Sequence, residues 1–248
     1  MEFIRVTSEN IDKEHICCAI SNNNDIQVSS KKAWLSKQFE DGLVFLKSTE
    51  RGKCFIEYLP AECAWAPVCA DGYMYIDCFW VSGQMKGQGY ANKLLEECIR
   101  DSREKGKKGL CVLSSPKKKS FLSDPGYLKH KGFQVADSAQ PYFDLLYLPF
   151  TENAEKPCFK PQVKLPQIQE RGWVLYYTKQ CPFTAKYVPL LEKTAEENGI
   201  LLKTILINDR ETAQSAPVAA TSFALFKDGE YVTNEILSVK KFLSLCLE

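Results

Sequence analysis

The sequence predicts an α/β (α+β) protein: a mixed sheet flanked by helices, followed by a smaller domain of the same class. Three observations carry this expectation. Short β-branched and aromatic runs alternate with amphipathic helical runs up to Phe150. A polar stretch at 151–170, carrying Pro157, Pro161 and Pro166, then breaks the periodicity. The alternation restarts at Gly172. The domains are accordingly residues 1–150, a linker or strap at 151–170, and residues 171–248.

In the first domain, residues 3–8 read as a strand, and residues 10–20 and 30–39 as helices, the second with Ser29 or Ser30 as its N-cap. Residues 42–48 and 54–59 are strand-like. Residues 74–81 form the central strand, which ends in a glycine-rich turn. A helix over 91–105 follows; Leu94, Leu95, Cys98 and Ile99 share one face, and Gly106 ends it. A strand at 109–113 comes next, then a helix ending at Lys129-His-Lys-Gly132-Phe133, then strands at 133–136 and 143–148. In the second domain the order is strand 173–177, helix 182–198, strand 201–207, strands 222–226 and 231–237 around the turn Lys227-Asp228-Gly229-Glu230, and a last helix 239–247 capped by Ser238.

Composition narrows the function. Charge is balanced, with 32 basic and 31 acidic residues, so no basic surface for nucleic acid is expected. No apolar run approaches the ~20 residues of a membrane span. The start Met-Glu-Phe-Ile-Arg lacks the pattern of a signal peptide. Eleven cysteines without metal-ligand spacing read as reduced thiols in a cytoplasmic protein with no metal. Cys54, Cys63 and Cys69 cluster loosely but lack a partner Cys-x-x-Cys.

The most informative segment is Val81-Ser-Gly-Gln-Met85-Lys86-Gly87-Gln88-Gly89-Tyr90-Ala91. A strand, a glycine loop and a helix N-terminus in series present backbone N–H groups and the positive end of a helix dipole to an anion. A P-loop is excluded because Tyr90 and Ala91, not Lys-Ser/Thr, follow Gly89. A dinucleotide fingerprint is excluded because Asn92 stands where its third glycine belongs. The segment resembles motif A of the GNAT superfamily of acyl-CoA N-acyltransferases, Arg/Gln-x-x-Gly-x-Gly/Ala. Lys86-x-x-Gly89-x-Ala91 takes the motif, with Lys86 at the family's Arg/Gln position; Gln84-x-x-Gly87-x-Gly89 is a second register. The resemblance covers residues 1–150. It implies that acetyl-CoA is the co-substrate, its pyrophosphate held by the amides of Met85, Lys86, Gly87, Gln88, Gly89, Tyr90 and Ala91. It also implies that Phe79, Trp80 and Val81 line the pantetheine arm and polarise the thioester carbonyl.

Side-chain roles are less defined. Many relatives place a thiolate-protonating tyrosine four residues before Gly-Phe; that position is Leu128 here, and Tyr127 lies one residue earlier, rotated about 100° on a helix. Tyr127 is the candidate acid. Glu57, Asp77 and Asp144 lie on strand-like runs, each reading first as a solvated or ion-paired carboxylate, so no base is named. His15 reads as structural or surface, His130 as exposed, and Lys117-Lys118-Lys119 as a solvated loop near the expected coenzyme mouth.

The second domain resembles the thioredoxin fold. Gln180-Cys181-Pro-Phe-Thr184 stands at the redox turn, and Pro189 at the helix kink. The dithiol is broken, because Thr184 replaces the resolving cysteine and Thr221 occupies the place of the fold's cis-proline. Cys181 remains a redox candidate, since a helix N-terminus lowers a thiol pKa. The two domains together resemble the YoaP-type acetyltransferases. The expected function is direct acetyl transfer to the amine of a small molecule or peptide, with the Cys181 domain shaping the acceptor site or a homodimer contact. A catalytically silent acyl-CoA-binding module and a thiol-redox protein centred on Cys181 are the alternatives.

Overall fold

The computed structural model describes residues 2–19 and 22–247. The first domain runs β1 (Phe3–Val6), α1 (Ile26–Gln38), β2 (Val44–Ser48), β3 (Cys54–Pro60), β4 (Val68–Cys69), β5 (Tyr73–Val81), α2 (Tyr90–Glu104), β6 (Gly109–Ser114), α3 (Pro125–His130), β7 (Gln134–Ala139) and β8 (Phe143–Pro149). The linker carries β9 (Cys158–Phe159). The second domain runs β10 (Trp173–Tyr177), α4 (Pro182–Glu197), β11 (Leu202–Leu206), α5 (Arg210–Gln214), β12 (Phe223–Lys227), β13 (Glu230–Thr233) and α6 (Val239–Leu247).

Two expectations in the first domain are corrected. The described part of 10–20 is a series of turns with an isolated bridge, Ile16 to Ala19, rather than a helix; Ile20 lies outside the described residues. Asn10 explains the difference. Its Oδ1 accepts from the Thr7 N–H at 2.8 Å and its Nδ2 donates to the Arg5 carbonyl at 3.0 Å, local bonds that compete with a helix ladder. The next helix begins at Ile26, with Asp25 as its cap in place of Ser29 or Ser30. The carboxylate of Asp25 accepts from the Gln27 N–H at 3.0 Å and suits the helix dipole better than a hydroxyl. In the second domain, β13 stops at Thr233, short of 237, and the single-turn helix α5 and the two-residue strands β4 and β9 were too short to show a period.

The first sheet has seven strands in the order β1-β2-β3-β5-β6-β8-β7. Its one parallel pair is β5–β6, in register from Tyr73–Gly109 to Ile76–Val112. Beyond Ile76 the two strands part, while β6 stays paired with β8 as far as Ser114–Asp144. On its other edge β5 carries a bulge: Cys78 faces Glu57 and Ile76 faces Tyr58, which leaves Asp77 over. The sheet therefore opens at Asp77. The α2 and α3 side of the sheet is filled by Ile56, Met74, Ile76, Leu94, Leu95, Leu110 and Leu128.

The opposite side of this sheet shares a core with the second domain: Phe45, Phe55, Tyr75 and Phe143 pack in one cluster with Val174, Val218 and Phe226. The second sheet is β11-β10-β12-β13, with β10–β11 parallel and the other pairs antiparallel. Segment 151–170 bonds to both parts of the chain. Val68 pairs with Phe159 and Cys69 with Cys158, and Ile168 N–H donates to the Gly229 carbonyl at 3.0 Å. Gly109, where β6 enters between β5 and β8, has no room for a side chain: a Cβ would lie 2.4 Å from the Leu148 carbonyl oxygen and 2.8 Å from the Tyr73 ring. Gly109→Ala is expected to cost about 1–3 kcal/mol of stability, read as a lower midpoint in urea unfolding.

Candidate active site

The glycine loop leaves β5 and turns directly into α2. Ser82 N–H is anchored to the Lys53 carbonyl at 2.9 Å, and Met85 is buried beneath the loop. Gly87 and Gly89 have φ of +75° and +78°, so the path requires glycine, and no atom lies within 4 Å of a Cβ built on either. Gly89 is the N-cap of α2 and has no side chain to cap it, so the first-turn N–H groups of Tyr90, Ala91 and Asn92 keep the vacancy of a helix N-terminus. The N–H groups of Gly87, Gln88 and Gly89 find no acceptor in the loop. Gln88 Nε2 bonds the Gln84 carbonyl, and Tyr90 Oη donates to Gln88 Oε1 at 2.8 Å, which keeps these side chains engaged with the loop itself. Val81, Met85, Lys86, Gly87, Gly89, Tyr90, Ala91 and Asn92 line a cavity of about 380 Å³. Donors, dipole and open space together suit a diphosphate.

Phe79, Trp80 and Val81 lie on the part of β5 that β6 has left, and are half-buried. Trp80 carries the Lys53 ammonium 4.4 Å from its ring centroid. Phe79 packs edge-on against Tyr127 at 5.7 Å. Tyr127 Oη donates to Asn92 Oδ1 at 3.3 Å, so the tyrosine spans from α3 to the first turn of α2, over the opened strand. Its backbone position follows from the helix start. Asp124 caps α3, accepting from Gly126 and Tyr127 N–H at 3.0 and 3.2 Å, and Pro125 is the first helical residue. Leu128 is buried in the core instead. Burial pushes the Tyr127 phenol up to about 12, so it holds its proton at neutral pH.

On the other side of the opening lies a buried charged cluster. Glu57 of β3 is fully buried, and its Oε1 accepts from Lys31 Nζ at 2.8 Å. Lys31, itself buried on α1, also donates to the Gln180 carbonyl at 2.7 Å and sits 4.3 Å from the Trp34 ring centroid. Asp77, the bulge residue, takes a hydrogen bond from Gln180 Nε2 through its Oδ1. The remaining oxygens, Glu57 Oε2 and Asp77 Oδ2, are buried and have no donor among the described residues. A proton between the two carboxyls removes that deficit. Burial, with Asp77 adding to it against the opposing Lys31, pushes Glu57 up to about 8.

Comparisons with known proteins give the family. A model of the acetyltransferase (GNAT) family matches residues 10–119, and a YoaP-like model matches residues 202–243. Over 246 residues the chain is 43% identical to the "Uncharacterized N-acetyltransferase YoaP" of Bacillus subtilis (strain 168), covering 99% of this chain and 98% of that one. The chain belongs to the GNAT family of N-acetyltransferases, in its YoaP-like branch. Among solved structures, a GNAT-family acetyltransferase of Brucella melitensis in complex with acetyl-CoA is 16% identical, with a TM-score of 0.38 over 62% of this chain and 90% of that one. A PaiA N-acetyltransferase of Thermoplasma acidophilum in complex with coenzyme A is 13% identical, with a TM-score of 0.40 over 60% of this chain and all of that one (100%).

In this acetyltransferase the other candidate residues have surroundings of their own. Asp144 is buried and accepts from Ser138 Oγ at 2.7 Å. His15 packs beside buried Lys47, Nδ1 to Nζ at 3.2 Å, and burial with that cation lowers its pKa to about 4. It is a neutral structural residue. His130 is exposed. Lys118 pairs with the cap residue Asp124 at 2.8 Å, and Lys119 lies 3.9 Å from the Tyr142 ring centroid. Cys181 is the N-cap of α4, as expected, but burial outweighs the helix dipole and pushes its thiol up to about 11. The lowered pKa expected from its position is corrected on that ground. Among the described residues no group of three or more His, Cys, Asp and Glu could hold a metal ion, and no helix is long and apolar enough to cross a membrane. Lys31 and the Gln180 side chain were not singled out in the sequence.

Proposed function

We propose that this protein transfers an acetyl group from acetyl-CoA directly to the amine of a small molecule or peptide, in a ternary complex. The observation that carries the reading is the conjunction of an uncapped glycine cradle with a strand that loses its partner at Asp77. The amides of residues 86–91 hold the diphosphate, and the free edge of β5 at Phe79, Trp80 and Val81 takes the pantetheine arm and polarises the carbonyl. One donor aimed at developing charge is worth about 2.7–4 kcal/mol in such a site.

The chemistry needs a neutral amine and a protonated thiol. Once its shared proton has left, the ionised Glu57–Asp77 pair receives the proton of the incoming ammonium, and the freed lone pair forms the C–N bond. The nitrogen then releases its second proton to the medium as the C–S bond breaks, and Tyr127 gives its proton to the thiolate and recovers one from the medium. Tyr127→Phe is expected to lower turnover about 10²-fold or more. Coenzyme A affinity should stay near the wild-type value, and unchanged turnover rules Tyr127 out as the acid. The C-terminal domain is assigned a thioredoxin-like fold, supported by its sheet order β11-β10-β12-β13, with a redox reaction disfavoured by the raised Cys181 thiol. A panel of primary amines, read by release of free coenzyme A, tests the function. Amine-dependent release is expected; binding without release from any amine favours the silent module.

A further inference from the structure

We propose that the C-terminal domain takes part in catalysis through Gln180, a positioning residue that holds Asp77 and Lys31 at the proton-accepting pair. The proposal rests on the acetyltransferase reading above. Gln180 works with both ends: its main-chain carbonyl accepts from Lys31 Nζ at 2.7 Å, and its side-chain Nε2 donates to Asp77 Oδ1. One residue of the second domain thus touches the α1 cation and the β5 carboxylate together.

The turn that presents it is braced from within. Thr184 Oγ1 lies 2.7 Å from both the Thr178 and the Cys181 carbonyls, and Gln180 N–H donates to Thr178 Oγ1 at 3.4 Å. Thr184 stands where a resolving cysteine would complete a dithiol. Thr221, at the other position central to such chemistry, donates from its Oγ1 to the Trp65 carbonyl of the first domain at 2.6 Å. Both positions therefore carry hydroxyls spent on holding the turn and seating the domain. A turn built for thiol exchange serves here as a bracket for Gln180.

The consequence is electrostatic. The groups facing the pair are Lys31 from α1, Cys18 from the N-terminal turns, Tyr75 and Cys78 from β5, and Cys181 from the second domain. Lys31 is the one cation among them. The Gln180 amide donates to Asp77 Oδ1, which draws charge from the oxygen pair and eases loss of the proton held at Glu57. In the reaction the pair first releases its shared proton, the ammonium N–H bond then breaks, and the proton taken from it refills the place between Glu57 and Asp77, with no change of oxidation state.

The full-length chain, with carbon-13 in its Asp and Glu carboxyls, tests this by infrared difference titration of the protonated-carboxyl stretch, without any acceptor. Wild type should lose a band near pH 8. Gln180→Leu should move that loss upward, and Gln180→Glu, which keeps the shape and adds like charge, should move it upward by about one unit or more. Asp77→Asn should move it downward. An unmoved or lowered titration in a folded Gln180 variant overturns the proposal. So does a wild-type band lost in the ordinary carboxylate range, which decides the matter if neither variant folds. Calorimetry with coenzyme A keeps the two readings apart: absence of heat with wild type sinks the acetyltransferase reading, whereas heat with an unmoved titration sinks only this one.

Discussion

Gly89→Val is expected to remove most of the affinity for coenzyme A while leaving the fold intact. The residue caps α2 with φ +78°. A β-branched side chain in that region is a genuine outlier, and left-handed geometry costs a residue with a Cβ about 1–2 kcal/mol. The loop relieves this by turning its peptides, because nothing packs over Gly89 to hold them. The N–H groups of Gly89 and the first turn then leave the diphosphate. Each charge-assisted hydrogen bond lost is worth about 1.5–3 kcal/mol, or roughly tenfold to a hundredfold in the dissociation constant. Gly89 is exposed, so the melting temperature should hold. Wild-type affinity in a folded Gly89→Val protein contradicts the cradle.

Lys31→Met is expected to be the most destabilising change at the domain boundary. It removes the ammonium from Glu57 Oε1 and from the Gln180 carbonyl, and all three groups are buried or half-buried. Breaking one side of a buried pair costs about 3–5 kcal/mol. The loss should depend on pH. Folded Glu57, held near 8, keeps a proton that the unfolded chain has already released above the ordinary carboxylate range. The folded state thus binds the extra proton, and the stability contributed by this group falls as pH rises from the ordinary carboxylate range through about 8, then levels off. Wild type offsets the emerging charge with Lys31, whereas the variant has no cation there. Urea unfolding at pH 6 and pH 9 should therefore show the larger deficit at pH 9. Equal deficits at the two values argue against an ionising Glu57 at this position.

The two halves of the site differ in how far the sequence revealed them. The cradle is contiguous: Lys86, Gly87, Gly89 and Ala91 lie in one turn between a strand and a helix, so consecutive residues are enough to read a candidate anion site and to carry the resemblance to motif A. The cluster is assembled from α1, β3, β5 and the turn before α4, and no local period joins those segments. Lys31 sits in a polar helical stretch and reads as a surface charge until the second domain covers it. Glu57 did carry a signal, a carboxylate inside the otherwise apolar run Cys-Phe-Ile-Glu-Tyr-Leu, but its partner Asp77 becomes special only through a bulge. The turns around Asn10 escaped for a related reason, since side-chain bonds to Thr7 and Arg5 overrode a plausible helical pattern.

Isothermal calorimetry of the full-length chain with coenzyme A bears most directly on the cradle formed by residues 86–91. The structure predicts heat that saturates at one ligand per chain with wild type and is largely abolished in folded Gly89→Val. Wild-type protein that gives no heat with coenzyme A or acetyl-CoA contradicts the account.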